Sequence, residues 1–443
     1  MALAGSVPVA GEAETRGANS GAALRPWAWV PTLYLAMGTP MITVSVVAAI
    51  MYKNLGLSNT DIALYTGSMY LPWVLKPLWA PLLEMFWSKR LFVLAMEFAI
   101  ALTLCCVGLA LGLPSYLAAT LSFLWITGFA SATQDIAADG VYIAAMSPKQ
   151  QAQFVGVQGI CWNAGRLLAS GVMVECTQWM HRDLALSWQA TWSFVMFALA
   201  AVMALLGLWH LRTLPRDSHA TQAREGLRSA LATVSDTWLS FLRKRDIWLM
   251  LAVIFFYRFG EGFIDKIGPL FLMDARSAGG LGLDNAALGR INGSYATFGF
   301  LSGTLLGGLF AAKLTLRRSF WFLAIALNVP HLTYFFLALR QPESHVLIAT
   351  VVTIEKFGYG FGSVGHMLYM MQQVAPGPYR TAHYAFATGI MGLCMMLTGM
   401  VSGALQEQLG YVQFFTLALG ASLPPIVLAW LAPFSAGEAA LER

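Results

Sequence analysis

Residues 211–246 read LRTLPRDSHATQAREGLRSALATVSDTWLSFLRKRD, and this passage decides how the chain is built. It is the longest hydrophilic stretch between apolar runs. It carries seven basic residues, Arg212, Arg216, Arg224, Arg228, Arg243, Lys244 and Arg245. Upstream lie six apolar runs, at roughly 27–52, 62–87, 91–111, 115–146, 154–174 and 190–210. Downstream lie six more, at roughly 247–274, 286–312, 320–339, 346–371, 381–405 and 414–431. A helix that crosses a bilayer needs about 20 predominantly apolar residues. The pattern is therefore six spans, a polar linker, and six spans.

Composition agrees. The 443 residues are 58% hydrophobic and 11% charged, against about 25% charged in a soluble domain. That excludes a water-soluble enzyme, a disordered chain and a fibre. The expected fold is an all-α integral membrane protein of twelve transmembrane helices in two six-helix halves. The divisions are a tail at 1–26, a first bundle at 27–210, the linker at 211–246, a second bundle at 247–432 and a tail at 433–443. Residues 1–26 lack the basic start and short apolar core of a cleaved signal peptide. The five cysteines form no CxxC pair, so neither a metal site nor a disulfide framework is indicated. No run of five basic residues points to nucleic acid, and the net charge of +5 reflects loop bias instead.

Seventeen Lys and Arg fall on the tails and even-numbered loops, against five on the odd-numbered loops. Cytoplasmic loops are enriched in these residues, so both termini are expected in the cytoplasm. Basic clusters recur after the second and eighth spans, at Lys89-Arg90 and at Lys313 with Arg317-Arg318. Paired six-helix halves with matched loops are the pattern of major facilitator transporters.

Eleven charges lie where they cannot easily be pushed out of the membrane: Lys76, Glu97, Asp135, Asp139, Arg166, Arg258, Glu261, Asp265, Lys266, Glu355 and Lys356. Each costs about 2.5–3.5 kcal/mol at a helix centre, so they are expected to pair inside a wet cavity and to mark function. Asp135 and Asp139 are four apart and share a helix face. Two close carboxylates resist double ionisation, which suits proton exchange. The alternative is a pair of structural partners for Arg166 and for helix ends near the cytoplasmic side, an alternative that weighs more for Asp139 than for Asp135. Arg166 shares a face with Gly159, Asn163 and Ser170, and its planar fork suits carboxylates or phosphates. Arg258, Glu261 and Asp265 recur on one face of the seventh span, beside Tyr257 and Lys266. Glu355, Tyr359, Gly362 and His366 do so on the tenth, next to Lys356.

Weaker signals surround these. Gly38-Thr39-Pro40 and Pro72, Lys76 and Pro77 should interrupt the first and second spans, as gates or as simple kinks. Gly299, Gly303 and Gly307 form a small-residue ridge on the eighth. Trp27 and Trp29 suit an interfacial belt. His366 and His383 titrate near neutrality or simply pack. Residues 360–365 match GxGxxG, yet no strand precedes them, so no dinucleotide site and no cofactor is expected. No Ser–His or Cys–His spacing recommends a membrane-embedded acyltransferase, and the linker is too short for a signalling domain.

The segment Leu75-Lys76-Pro77-Leu78-Trp79-Ala80-Pro81-Leu82-Leu83-Glu84 resembles the LK-x-LWAPLLD segment of AmpG-type permeases. Ser131-Ala132-Thr133-Gln134-Asp135-Ile136-Ala137-Ala138-Asp139 resembles their SATQDI-x-x-D, and Tyr257-Arg258-Phe259-Gly260-Glu261 their Y-[KR]-x-G-[DE]. That branch of the major facilitator superfamily contains muropeptide permeases, acetyl-CoA transporters and some siderophore permeases. Glu84 stands where Asp is usual, Gly140 where Ala is, and some muropeptide permeases carry two further spans.

The resemblance implies a multi-pass protein of the bacterial inner membrane that works by alternating access as a proton-driven importer. Its expected partners are protons, the lipid bilayer and a small polar anionic or sugar-containing metabolite such as an anhydro-muropeptide, and it is expected to be a monomer. Proton coupling falls to Asp135, Asp139 and Glu261. Substrate binding falls to Gln134, Asn163, Arg166, Tyr257, Arg258, Glu355, Lys356 and Tyr359. Gating falls to Gly38, Pro40, Lys76, Pro77 and Glu84.

Overall fold

A computed structural model describes residues 26–86, 88–216, 235–236, 238–376 and 380–434. The expected tails and most of the central linker lie outside these, as does the Glu84 side chain. Among the described residues, twelve spans are present. The first is Pro26–Asn54. The second comes in two pieces, Asn59–Ser68 and Leu71–Phe86. Lys89–Ala110 is the third and Tyr116–Ala145 the fourth. The fifth starts as Pro148–Arg166 and runs on to Asp183, and Trp188–Thr213 is the sixth. The second half comprises Ile247–Met273, Asn285–Leu314, Leu316–Arg340 and the tenth span, His345–Tyr369. A helical run from Arg380 to Leu431 completes it, folded into the last two spans by Gly410 at φ 71°.

Local chemistry sets the starts. Ser58, Ser88, Ser147, Ser187 and Ser344 each precede a span, and each hydroxyl accepts a backbone N–H of the first turn. Such caps satisfy donors that a helix start leaves open. Among the described residues, eight helices are long and apolar enough to cross a membrane, one of them holding both last spans. The second, fifth and tenth are not among the eight. A spanning helix that is polar on one side has to turn that side inward, and these three carry Lys76, Arg166 and the Glu355-Lys356 pair.

Of the expected proline breaks, the one at Pro72 is found, and those at Pro40 and Pro77 are not. The first span stays helical through Gly38, Thr39 and Pro40 and opens into a wide turn only at Thr43–Val47. Gly38 is where the fifth span crosses: a Cβ there would meet the Trp162 backbone. The second span breaks at Met69-Tyr70, just ahead of Pro72 in the first turn of Leu71–Phe86, and then runs unbroken through Pro77. The seventh, expected to be continuous, turns at Tyr257-Arg258. Trp29 belongs to no belt; it is buried at 1% exposure and packs on Tyr142, whereas Trp27 is 65% exposed. The glycine ridge is as expected, with Gly303 and Gly307 against the backbone of Phe357 and Phe361.

The two halves share an apolar core at one end, and further in they also touch where Val74 of the second span lies against Gly389. The shared core draws Val44, Met51 and Ile62 from the first half and Phe263, Phe271 and Phe414 from the second. At the other end, which carries the even-numbered loops, each half has its own core. One gathers around Trp29, Leu94 and Tyr142, the other around Phe241, Tyr257 and Phe320.

Candidate functional site: a charged interior between two halves

In the first half, Asp135 on the fourth span faces the second. Its Oδ2 accepts Lys76 Nζ at 3.0 Å and Trp73 Nε1 at 3.1 Å, and its Oδ1 is buried without a hydrogen bond. Asp139, one turn on, is exposed and accepts the Tyr34 hydroxyl at 2.9 Å. Gln158 donates to that hydroxyl at 2.8 Å. The two carboxylates thus share a face but not a partner. Arg166 pairs with neither; its Nε is buried without a hydrogen-bond partner. Asn163 donates to the Gly159 carbonyl at 2.9 Å, leaving its own oxygen unsatisfied. Gln134 departs from the expected substrate set: it is fully buried and donates to Glu97 on the third span at 3.2 Å.

Glu97 itself belongs to a group that sequence reasoning missed. Its Oε1 lies 2.7 Å from His210 Nδ1, and His210 Nε2 lies 2.9 Å from the Thr32 hydroxyl. All of Glu97, Gln134 and His210 is buried. His210 is 113 residues from Glu97 in sequence, so spacing could not have joined them.

The second half offers more charge. Arg258, freed from the helix by the turn at Tyr257, bonds the Tyr359 hydroxyl and lies 4.7 Å over that ring. Tyr257 is buried, bonds the Gly362 carbonyl at 3.0 Å and stacks on His366, so it supports the tenth span. Lys356 Nζ sits 3.0 Å from Glu261 Oε1 and 3.2 Å from Glu355 Oε2. Glu261 Oε2 lies 3.2 Å from His331, whose other nitrogen lies 2.7 Å from Ser422 Oγ. Glu261, His331 and Glu355 could group around a metal ion, but Lys356 already supplies the cation there. His383, the other histidine of interest, lies 3.0 Å from the Ser240 hydroxyl.

Polar bonds between the halves gather at the joined end. Asp274 receives Lys53 and the Tyr411 hydroxyl, and Asn59 donates to it at 3.0 Å. Asn285 donates to Asn54 and to Thr177, each at 2.7 Å, and Arg290 meets Glu175 at 2.7 Å. Deeper in, Lys266 donates to the Thr66 hydroxyl at 2.9 Å and to the Ser45 carbonyl at 3.2 Å. Ser45 lies in the wide turn of the first span, where an α-helical bond is lost and a carbonyl is left free. Gly293 packs so closely on Gly171 that a Cβ would lie 2.7 Å from its backbone nitrogen.

Two six-helix halves, joined at one end around charged inner faces, form a transporter architecture, and the sequence matches the Major Facilitator Superfamily over residues 32–403. The chain belongs to that superfamily. Among its relatives is the "Anhydromuropeptide permease" of Escherichia coli (strain K12), 22% identical over 406 residues, covering 89% of this chain and 77% of the permease. The "Putative transporter AmpG 3" of Rickettsia prowazekii (strain Madrid E) is 21% identical over 377 residues, 81% of this chain and 84% of its own. Both names agree with the resemblance carried by the LWAPLL and SATQDI segments. The fold is similar to the inward open conformation of the xylose transporter XylE from E. coli, with a TM-score of 0.68 and 14% identity, over 92% of this chain and 96% of that one. The relatives are transporters, and the function class of this chain is transport of small molecules across a membrane.

Proposed function

We propose that the protein imports a polar anionic or sugar-containing solute, an anhydro-muropeptide above all, in symport with protons. The observation that carries this reading is the presence of unspent arginine donors on the inner spans, one of them set over an aromatic ring. The Nε atoms of Arg166 and Arg258 are both buried without a hydrogen-bond partner, and Arg258 is backed by Tyr359. An arginine fork recognises carboxylates in a bidentate way, and an aromatic ring offers a face for a sugar. Asp135, with one oxygen on Lys76 and the other unsatisfied, is the proton-coupling group, with Asp139 as the exposed relay to water. The basic-loop count supports placing the end that carries both termini in the cytoplasm, in the inner membrane of a bacterium. The conformation described is then inward-open, sealed outside by the Asp274 network.

Transport follows by alternating access. Solute and proton enter when the outer bonds part; rocking of the halves exposes them inward; proton release lets Lys76 and Asp135 close again and resets the cycle. The test is binding of N-acetylglucosaminyl-anhydro-N-acetylmuramyl peptide to the purified protein. Removing a charged hydrogen bond costs about 1.5–3 kcal/mol, so Arg166→Gln and Arg258→Gln should each weaken binding by about 10- to 100-fold. Unchanged affinity in both variants removes the arginines from the site.

A further inference from the structure

We propose that Glu355 and Lys356 are not solute contacts but half of a proton-binding site, in which the proton rests on Glu355. Counting charge leads there. Glu261 and Glu355 are 0% exposed, as is His331, and Lys356 is 3% exposed. Oxygens of the two carboxylates lie within 4.8 Å of each other and of a His331 nitrogen. Two ionised carboxylates and one ammonium leave one negative charge sealed from water, which a single proton on Glu355 or on His331 would remove. Arg258 and Asp265 from the seventh span also act on the cluster, with opposite signs, while Tyr334 and Tyr359 add no charge. The excess therefore stays, and one proton removes it.

Hydrogen bonding selects the carboxylate. Glu261 is held from both sides, by Lys356 on Oε1 and His331 on Oε2. Glu355 has Lys356 as its one cation, 3.2 Å from an Oε2 that makes no hydrogen bond and 3.5 Å from Oε1, and it faces the Glu261 carboxylate. A doubly bonded carboxylate keeps its charge and the poorly bonded neighbour takes the proton. Ser422 Oγ lies 2.7 Å from the other His331 nitrogen and 3.2 Å from the Ala418 carbonyl; donation along the shorter contact leaves the ring neutral and the proton on Glu355. The site lies against the solute face, since Lys356 Nζ is 5.3 Å from the centre of the Tyr359 ring that Arg258 covers. Loss of the proton would recast the pull on Lys356 and hence on Tyr359.

The role in coupling rests on the transport reading above; the protonation does not, and infrared difference spectroscopy on purified protein separates them. Wild type minus Glu355→Gln should show a carboxylic-acid C=O band at neutral pH. Glu261→Gln, which leaves Glu355 alone with Lys356, should lose the same band and gain a carboxylate one. Should Glu355→Gln fail to fold, the Glu261→Gln spectrum carries the test. A carboxylate band in the first difference spectrum, or an unaltered acid band in Glu261→Gln, overturns the proposal. Uptake that ignores a pH gradient while the acid band is present would sink proton coupling and leave the Glu355 proton standing.

Discussion

Lys76 reaches across from the second span to Asp135 on the fourth, 3.0 Å from Oδ2, while the other carboxylate oxygen is left without a hydrogen bond. The pair is only partly sheltered, with the Lys76 side chain 26% exposed, so its making and breaking lie within reach of a proton arriving from the open end. Asp135→Asn keeps the shape and removes the charge. It should abolish accumulation driven by a pH gradient and spare exchange of labelled for unlabelled solute. Counterflow in proteoliposomes reads the second, and its loss would give Asp135 a structural role instead.

Asp274 receives Lys53, Tyr411 and Asn59 from around the joined end. Asp274→Asn weakens these bonds, and hydrogen bonds to a charged group contribute about 1.5–3 kcal/mol. The outward-open population should rise by about 10- to 100-fold. Spin-label distances across the odd-numbered loops would show it, and an unchanged distribution would mean that the apolar core alone seals this end.

Two glycine substitutions of equal bulk should fail differently. Gly303 lies within the second half, against the tenth span, and Gly293 lies between the halves, against Gly171 of the fifth. Overpacking costs about 1–3 kcal/mol or more. Gly303→Val should lower thermal stability in detergent. Gly293→Val should leave stability near wild type and hold the joined end apart, read by thiol labelling of a cysteine placed at Ser45.

The buried Glu97–His210 pair should matter for folding rather than for solute choice. Removing one partner and leaving a buried polar group unsatisfied costs about 1–3 kcal/mol. His210→Ala should therefore unfold at a clearly lower temperature, with relative affinities among solutes unaltered. A shifted solute preference would place the pair in the transport path.

How much could be read without coordinates depends on which forces acted locally. The spans were legible because burial in lipid imposes a run of about 20 apolar residues. The Gly299, Gly303 and Gly307 ridge was legible because its period matches the helix. The break at Met69-Tyr70 was legible through Pro72, which sits in the first turn of the helix that follows; the turn at Tyr257-Arg258 was not, since neither residue is a breaker. The charges could be counted but not matched. Lys76, not Arg166, partners Asp135, and Glu97 finds His210 from the far end of the first half; both follow from how helices pack. Gln134 shows the same limit, since one step along the helix from Asp135 turns it to the third span.

The central claim is proton-driven import of an anionic sugar conjugate. Its most direct test is uptake of labelled N-acetylglucosaminyl-anhydro-N-acetylmuramyl peptide into proteoliposomes, with and without an imposed pH gradient. The account predicts concentrative uptake when the lumen is alkaline relative to the bath, and equilibration alone when it is not. Folded protein that equilibrates the peptide equally with or without the gradient would contradict proton coupling, and folded protein that carries none of it would contradict the substrate.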